Sequence, residues 1–266
     1  MTDGGRPADE RPAGAGLAIG LDCGSTHCKG ALIDAQGRLL AVARRPTGWN
    51  VPAAARELLA RLHPPTGPVV VAATGYGRFQ VEDASLTLTE IRGHALGAEL
   101  LRPGAATVVD VGGQDTKVVS TAAGKPKNFL MNDKCAAGTG RFLEMALGRL
   151  ELTLEELEAR PEPAEPARLN SVCAVFAESE LMGLLAAGQP REDVAAGVLI
   201  ALADKAAALA ARLPPADPVV MTGGLSASRL LARHLSRALG RPVEALAQGF
   251  YAGALGAAWA ALSEAS

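Results

Sequence analysis

Two aspartates in this chain stand in the same setting. Asp22 follows the apolar run "LAIGL" and opens "DCGSTHCK"; Asp110 follows "ATVV" and opens "DVGGQD". Turns of Gly, Ser and Thr expose backbone N–H groups, and Gly permits close approach and positive φ, so such turns suit phosphate oxygens. The first turn adds an acid for a solvated Mg2+ (Asp22), two hydroxyls (Ser25, Thr26) and a cation (Lys29). The second gathers Asp110, Gln114 and Asp115 around Gly112 and Gly113. Mg2+ keeps several waters and takes one or two carboxylates, a role that Asp22 and Asp110 match. A third glycine pair, Gly223 and Gly224, lies in "PVVMTGGLSASRLL". Any one of these is as readily an ordinary tight turn. Three of them, each delivered by an apolar strand and two opened by Asp, argue for a phosphate-bearing ligand. The patterns G-x-x-x-x-G-K-[ST] and G-x-G-x-x-G are both absent, and "GYGRFQ" supplies only the first two glycines of the latter.

Two cysteines raise a second question. Cys135 sits in "NDKCAAGTGRFLEMAL" and Cys173 in "NSVCAVFAESELMGLL". In each, an Asn lies three residues before the Cys and the pattern predicts a helix just after it. The partial positive charge of a helix N-terminus favours a thiolate. Such a thiol is a buried small hydrophobe, a nucleophile or a metal ligand, and the residues alone leave packing and ligation open. Two ligands per chain do not complete a four-thiolate site, whereas a twofold dimer would supply four.

The elements that must position these residues follow from periodicity and turn signals. Residues 17–21 read as a strand, and "KGALIDAQGRLLAVARR" as a hairpin about the turn at 34–37. The pattern predicts helix over 52–62, strand over 68–74 and helix over 85–101. Strand, turn and strand follow over 106–121, then helices over 138–150, 153–159, 175–187 and 191–212. "EARPEPAEPARLN", 158–170, is a Pro-rich connector. Residues 218–239 read as strand, double-Gly turn and helix, and 250–262 as a small-residue helix. Met145, Met182 and Met221 are expected in the core. His63, His94 and His234 are expected at the surface or as satisfied polar groups, and "EELEAR" as a solvated helix face.

Bulk composition narrows the classes. The 266 residues are 48% hydrophobic and 20% charged, with a net charge of -2. That length supports a sizeable core, and no basic stripe suggests nucleic acid. No apolar run reaches the roughly 18 residues that span a bilayer. The polar, Gly- and Pro-rich start, 1–16, reads as a disordered tail and lacks the apolar stretch of a signal peptide. A cytoplasmic protein is expected, where thiols stay reduced and four cysteines point away from disulfides.

Strand–turn–strand phosphate loops in two lobes mark the actin, Hsp70 and sugar kinase superfamily, and the chain resembles it. "GLDCGSTHCKGALID" looks like its first phosphate segment, "VVDVGGQDTKVV" its second and "VVMTGGLSASRLL" its adenosine segment. The resemblance implies an α/β, two-lobed ribonuclease H-like ATPase fold with ATP in the cleft. It sets an N-terminal lobe over 17–130 and a C-terminal lobe, carrying Cys135 and Cys173, over 131–249. A last helix, 250–266, would pack back on the first lobe.

A narrower resemblance rests on "GGQDTK", "MNDKCAAGTGRF" and "CAVFAESE". These look like the ATP-dependent activators of 2-hydroxyacyl-CoA dehydratases, whose wider family includes the ATPase subunits of benzoyl-CoA reductase. The resemblance covers about residues 17–262. It implies a homodimer sharing one [4Fe-4S] cluster, with Cys135 and Cys173 as ligands. It also implies MgATP hydrolysis that drives one electron, received from ferredoxin or flavodoxin, to the dehydratase. Asp22 and Asp110 would hold the metal's waters. Gly24, Ser25, Thr26, Lys29, Gly112 and Gly113 would hold phosphates, and Gln114 or Asp115 would orient the attacking water. Gly138 and Thr139 would reach the nucleotide, Gly223 and Gly224 would back the adenosine, and Gln248 and Gly253 would lie near them. His27 and Cys28 fill the variable middle of the first loop, a departure from the pattern; Cys23 and Cys28 read as non-ligands. The intact "GGQDTK" and "AAGTGRF" favour the activator over the reductase subunits. Two rivals remain: a small-molecule kinase of the same fold with Asp110 as its base, and a nucleotide-gated interaction module whose cysteines only pack. Neither accounts for the matched cysteines as well.

Overall fold

The computed structural model describes residues 16–64, 67–132, 136–163, 165–169 and 174–264. Residues 1–15 of the expected tail, 1–16, and both cysteines of the cluster reading, Cys135 and Cys173, lie outside the described residues. The chain divides into two compact units: Met1–Thr89 with Ala254–Ser266, and Glu90–Gly253.

The first unit carries β1 (Leu17–Cys23), β2 (His27–Asp34), β3 (Leu39–Pro46), α1 (Val51–Leu62), β4 (Val69–Thr74) and the two-residue β5 (Leu86–Thr87). Its sheet runs β3-β2-β1-β4-β5. β1 is antiparallel to β2 and parallel to β4. As a central strand it reads as a near-continuous apolar run, buried on both faces. α1 starts at an Asn50 cap whose side chain accepts from the Ala53 N–H at 3.0 Å.

The second unit carries α2 (Glu90–Leu101), β6 (Thr107–Val111), β7 (Thr116–Ala122), β8 (Lys125–Asn132), α3 (Gly140–Arg149), α4 (Leu154–Glu158), α5 (Ala174–Ala186), α6 (Arg191–Ala211), β9 (Val219–Gly223), α7 (Arg229–Leu239) and β10 (Val243–Ala245). α8 (Ala252–Glu264) begins here and continues into the first unit's residues. The second sheet runs β10-β9-β6-β7-β8. Taken outward from β6 it has the pairing of the first: an antiparallel meander on one side, two parallel strands on the other. Val109, Val118 and Met221 of this sheet pack with Leu143, Leu199, Leu202 and Leu231 into one core. α6 is long and apolar enough to cross a membrane by length and composition, but most of it is buried in this core.

Several expectations need correction. The helix expected from 85 begins at Glu90, because Leu86–Thr87 pairs with β4 instead. β8 and β10 were not expected. β8, "KPKNFLMN", is a mostly exposed edge strand without clean alternation, and β10 has three residues. Met182 is exposed rather than core, whereas Met221 is fully buried and Met145 packs against the core. Glu158 of "EELEAR" is not merely solvated. Its Oε1 accepts from Ser228 Oγ at 2.5 Å and Leu230 N at 3.2 Å, so it ties α4 to the start of α7. α7 itself ends on Gly240 in the left-handed region, φ 66°.

Candidate nucleotide site

In the first unit the hairpin register sets Asp22 opposite Lys29 and Cys23 opposite Cys28. Asp22 is buried, and its Oδ2 lies 3.1 Å from Lys29 Nζ. The turn closes by Gly24 N–H donating to His27 O at 3.2 Å. Thr47 braces it from β3's end, with its N–H on Thr26 O and its hydroxyl on Gly24 O, 2.7 Å. The next parallel strand ends in Thr74–Gly75. Gly75 has φ +90°, and a Cβ there would sit 2.8 Å from Asp22 Oδ1 and 2.6 Å from the Cys23 carbonyl. Only glycine permits that approach.

The second unit repeats this with more charge. Asp110 stands opposite Lys117, and Gly112 N–H donates to Asp115 O at 2.9 Å. The parallel partner ends in Thr222–Gly223, where φ is +86° and a Cβ would sit 2.3 Å from Asp110 Oδ1. Thr222 Oγ1 donates to Asp110 Oδ1 at 3.3 Å, and His94 Nδ1 lies 2.9 Å from Thr222 Oγ1 and 3.4 Å from Asp110 Oδ1. Lys117 Nζ meets three carboxylates: Asp115 at 2.6 Å, Glu90 at 2.8 Å and Asp110 at 3.4 Å. Burial alone would pull the Lys117 ammonium down, but Asp110, Glu90 and Asp115 outweigh it and hold its pKa above the ordinary value. The stabilisation is therefore complete below the usual lysine pKa and is lost only as pH rises through the raised one.

The rest of the second unit closes on the same turn. Gly140 N–H and Arg141 N–H, at the start of α3, donate to Gly112 O and Gly113 O at 2.8 and 2.9 Å. Thr116 Oγ1 donates to Gly138 O at 2.5 Å, and buried Thr139 donates to Ala136 O at 2.7 Å. Gly224 N–H donates to Val111 O at 3.1 Å, joining the double-Gly turn to the end of β6. Buried Ser226 packs against Gly249, where a Cβ would sit 2.9 Å from Ser226 Oγ. Ser25, Gln114, Gly224 and Gln248 are exposed, and Gly253 is buried at the start of α8.

Two buried hydroxyls in these turns, Thr26 Oγ1 and Ser226 Oγ, have no hydrogen-bond partner among the described residues. Unpartnered buried hydroxyls are costly, and both lie in segments of the phosphate and adenosine type, so the residues present fit a polar ligand. Among the described residues no group of three or more His, Cys, Asp and Glu could hold a metal ion. A cation bound through water to one carboxylate, as Mg2+ is, needs no such group.

Cys23 and Cys28 do not fit a cluster. Both are fully buried in the first unit's core, and the bond to Cys28 together with burial pushes the Cys23 thiol well above its usual range. The His expectation divides: His63 is exposed, buried His234 faces Glu162 at 3.3 Å, and His94 sits on the Asp110 carboxylate. Lys117, Glu90 and Thr222 are absent from the residues singled out in the sequence, and His94 is expected there only as a surface or satisfied polar group. The hairpin spacing carried a signal for Lys117, since pairing Val111 with Thr116 places it opposite Asp110.

Known proteins resemble the chain along nearly all its length. It is 36% identical over 254 residues to the (R)-2-hydroxyglutaryl-CoA dehydratase activating ATPase of Acidaminococcus fermentans, covering 93% of this chain and 98% of that one. The activator of 2-hydroxyisocaproyl-CoA dehydratase from Clostridium difficile, solved with bound ADPNP, superimposes with a TM-score of 0.86 at 33% identity, over 94% of this chain and 95% of that one. A ROK family glucokinase from Streptomyces griseus matches at TM-score 0.59 and 18% identity, over 92% of this chain and 99% of that one. The fold is therefore the α/β fold of the actin, Hsp70 and sugar kinase ATPases. With residues 19–261 matching its model, the chain belongs to the BadF/BadG/BcrA/BcrD ATPase family.

Proposed function

We propose that this ATPase is an iron–sulfur activator that couples MgATP hydrolysis to delivery of a low-potential electron to a 2-hydroxyacyl-CoA dehydratase. The observation that carries the reading is the pair of Asp–Lys hairpins, within a chain similar over nearly its full length to an activating ATPase of such a dehydratase.

The residues divide the work as follows. Gly24 and Gly112 spend their N–H groups on closing the two turns, so Ser25, Thr26, Gly113 and Gln114 offer the turn N–H groups to phosphate. Thr26 Oγ1 adds a donor that lacks a partner among the described residues. Asp22 and Asp110 hold Mg2+ through its waters; each already engages a lysine, which suits outer-sphere binding. Gln114 or Asp115 orients the attacking water. Gly223, Gly224 and Ser226 receive the nucleoside end, with Gln248 beside them.

A [4Fe-4S] cluster held by Cys135 and Cys173 from each of two copies would supply the transferable electron. The donor chemistry fits: the remaining cysteines are sealed in the core, and α5 begins at Ala174, directly after Cys173, so its N-terminal N–H groups favour an anionic centre. A short 3-10 turn begins at Ala136, directly after Cys135, ahead of α3. The closest rival within the fold, a sugar kinase, gives these cysteines no task.

The test is anaerobic purification followed by iron, sulfide and ATPase measurement. Brown dimeric protein with about four irons per dimer and ATP turnover is the expected result. Colourless, iron-free protein, or protein that phosphorylates a sugar, overturns it. Cys135→Ser protein with wild-type iron content would overturn the ligand assignment alone.

A further inference from the structure

The two hairpins hold their lysines differently, and the difference points to a role for Lys117. Lys29 makes an ion pair with Asp22 across the first hairpin. Lys117, with a side chain only 5% exposed, meets carboxylates from three separate segments: Glu90 on α2, Asp110 on β6 and Asp115 in the turn. One carboxylate is enough to neutralise the charge of one ammonium. The two extra contacts therefore do something besides neutralise charge.

What they do is fix two candidate catalytic groups relative to each other. Asp110 is gripped at both oxygens: Oδ2 by Lys117 at 3.4 Å, Oδ1 by Thr222 at 3.3 Å. Asp115 is the tightest contact, at 2.6 Å, and is itself a quarter exposed. Its other oxygen makes no hydrogen bond or ion pair among the described residues. Glu90 reaches the ammonium from the start of α2 rather than from the hairpin. Asp110 and Asp115 thus share one rigid cation, although they stand five positions apart on a strand and a turn.

We infer that Lys117 is a positioning residue for hydrolysis, a buried ammonium anchored by Glu90 that sets Asp115 against Asp110 so that the attacking water and the metal's waters are held in register. The inference rests on the ATPase reading above. It assigns Lys117 no contact with phosphate. A group that acts through orientation should be costly to the turnover step and cheap to binding. A misplacement of about 1 Å in a catalytic group costs up to roughly 100-fold in rate.

The experiment compares full-length wild-type, Lys117→Met and Glu90→Gln proteins for steady-state ATPase and for ADP affinity, with thermal unfolding measured alongside. Lys117→Met is expected to lose on the order of 100-fold in kcat, with the Kd for ADP and the KM for ATP changed less than about threefold. Glu90→Gln keeps the side chain's shape and leaves Lys117 balanced by two carboxylates. It is expected to fold normally and to lose about tenfold in kcat, again with little change in KM. It keeps the inference testable if Lys117→Met fails to fold. Wild-type protein without ATP turnover overturns the ATPase reading itself. Active wild type beside Lys117→Met or Glu90→Gln variants with unchanged kcat, or with kcat, KM and ADP affinity lost in parallel with stability, overturns the positioning role and leaves the ATPase reading standing.

Discussion

The hairpins at Asp22 and Asp110 share one construction and carry unequal loads. In both, an Asp at a strand end faces a Lys seven residues on, a Gly N–H closes the turn, and a Thr–Gly pair on the parallel neighbour brings a left-handed glycine against the carboxylate. The scaffold is therefore specified twice by the same residue types. The surroundings are not. Asp22 has a lysine and a packed glycine; Asp110 has Lys117, Thr222 and His94, with Asp115 and Glu90 sharing the lysine. The same backbone thus carries two turns of unequal charge, with three carboxylates sharing one buried ammonium at the second.

The sharpest way to break this comparison is to neutralise both acids in turn. Asp110→Asn is expected to lower kcat by roughly 10²–10³-fold, the scale of losing a preorganised electrostatic group. Asp22→Asn should act mainly on nucleotide affinity, by about tenfold, or ~1.4 kcal/mol. ATPase kinetics and an ADP titration on both proteins decide it; identical losses would mean that the two turns are equivalent. Next in size come the glycines. Gly223→Ala and Gly75→Ala each force a side chain into a left-handed backbone against a carboxylate oxygen and a neighbouring carbonyl. Each should cost about 1–3 kcal/mol from the backbone alone, with a further loss at Gly223, where the clash with Asp110 is closer. Thermal unfolding measures both, and an unchanged midpoint for either removes the packing argument at that turn.

The smallest contrast separates the two threonines. Thr222→Val removes the hydroxyl that donates to Asp110 across 3.3 Å and should lower kcat about threefold to tenfold, the net worth of one ordinary hydrogen bond. Thr74 donates instead to Leu88 O at 3.1 Å, away from Asp22. Thr74→Val should cost about 1 kcal/mol of stability and leave ATP turnover as it was. A kinetic effect at Thr74 equal to that at Thr222 would erase the distinction drawn between the hairpins.

Sequence reading located both turns because each signal is local. Apolar alternation, a terminal Asp and a glycine turn lie within ten residues, and periodicity fixes which residues pair. It failed where pairing partners are remote. His94 and Thr222 are 128 positions apart, and nothing in "IRGHAL" distinguishes a histidine that meets a carboxylate from one that faces water. Glu90 opens a helix, a common place for an acid, so its use as an anchor was hidden by an ordinary explanation. β8 escaped because an edge strand exposed on most of its length need not alternate. Lys117 was the one avoidable omission, since register alone places it opposite Asp110.

The burial of Cys23 and Cys28 has a practical consequence for anyone counting sulfhydryls. Both side chains are inaccessible to solvent, and the Cys23 thiol is held in its protonated, unreactive form. An alkylating dye added to the folded protein will pass them by, and they will be counted only after denaturant opens the first sheet. Any thiol labelled in the native protein is therefore not one of this pair, and the appearance of Cys23 and Cys28 in the count is a direct gauge of whether the first hairpin is intact.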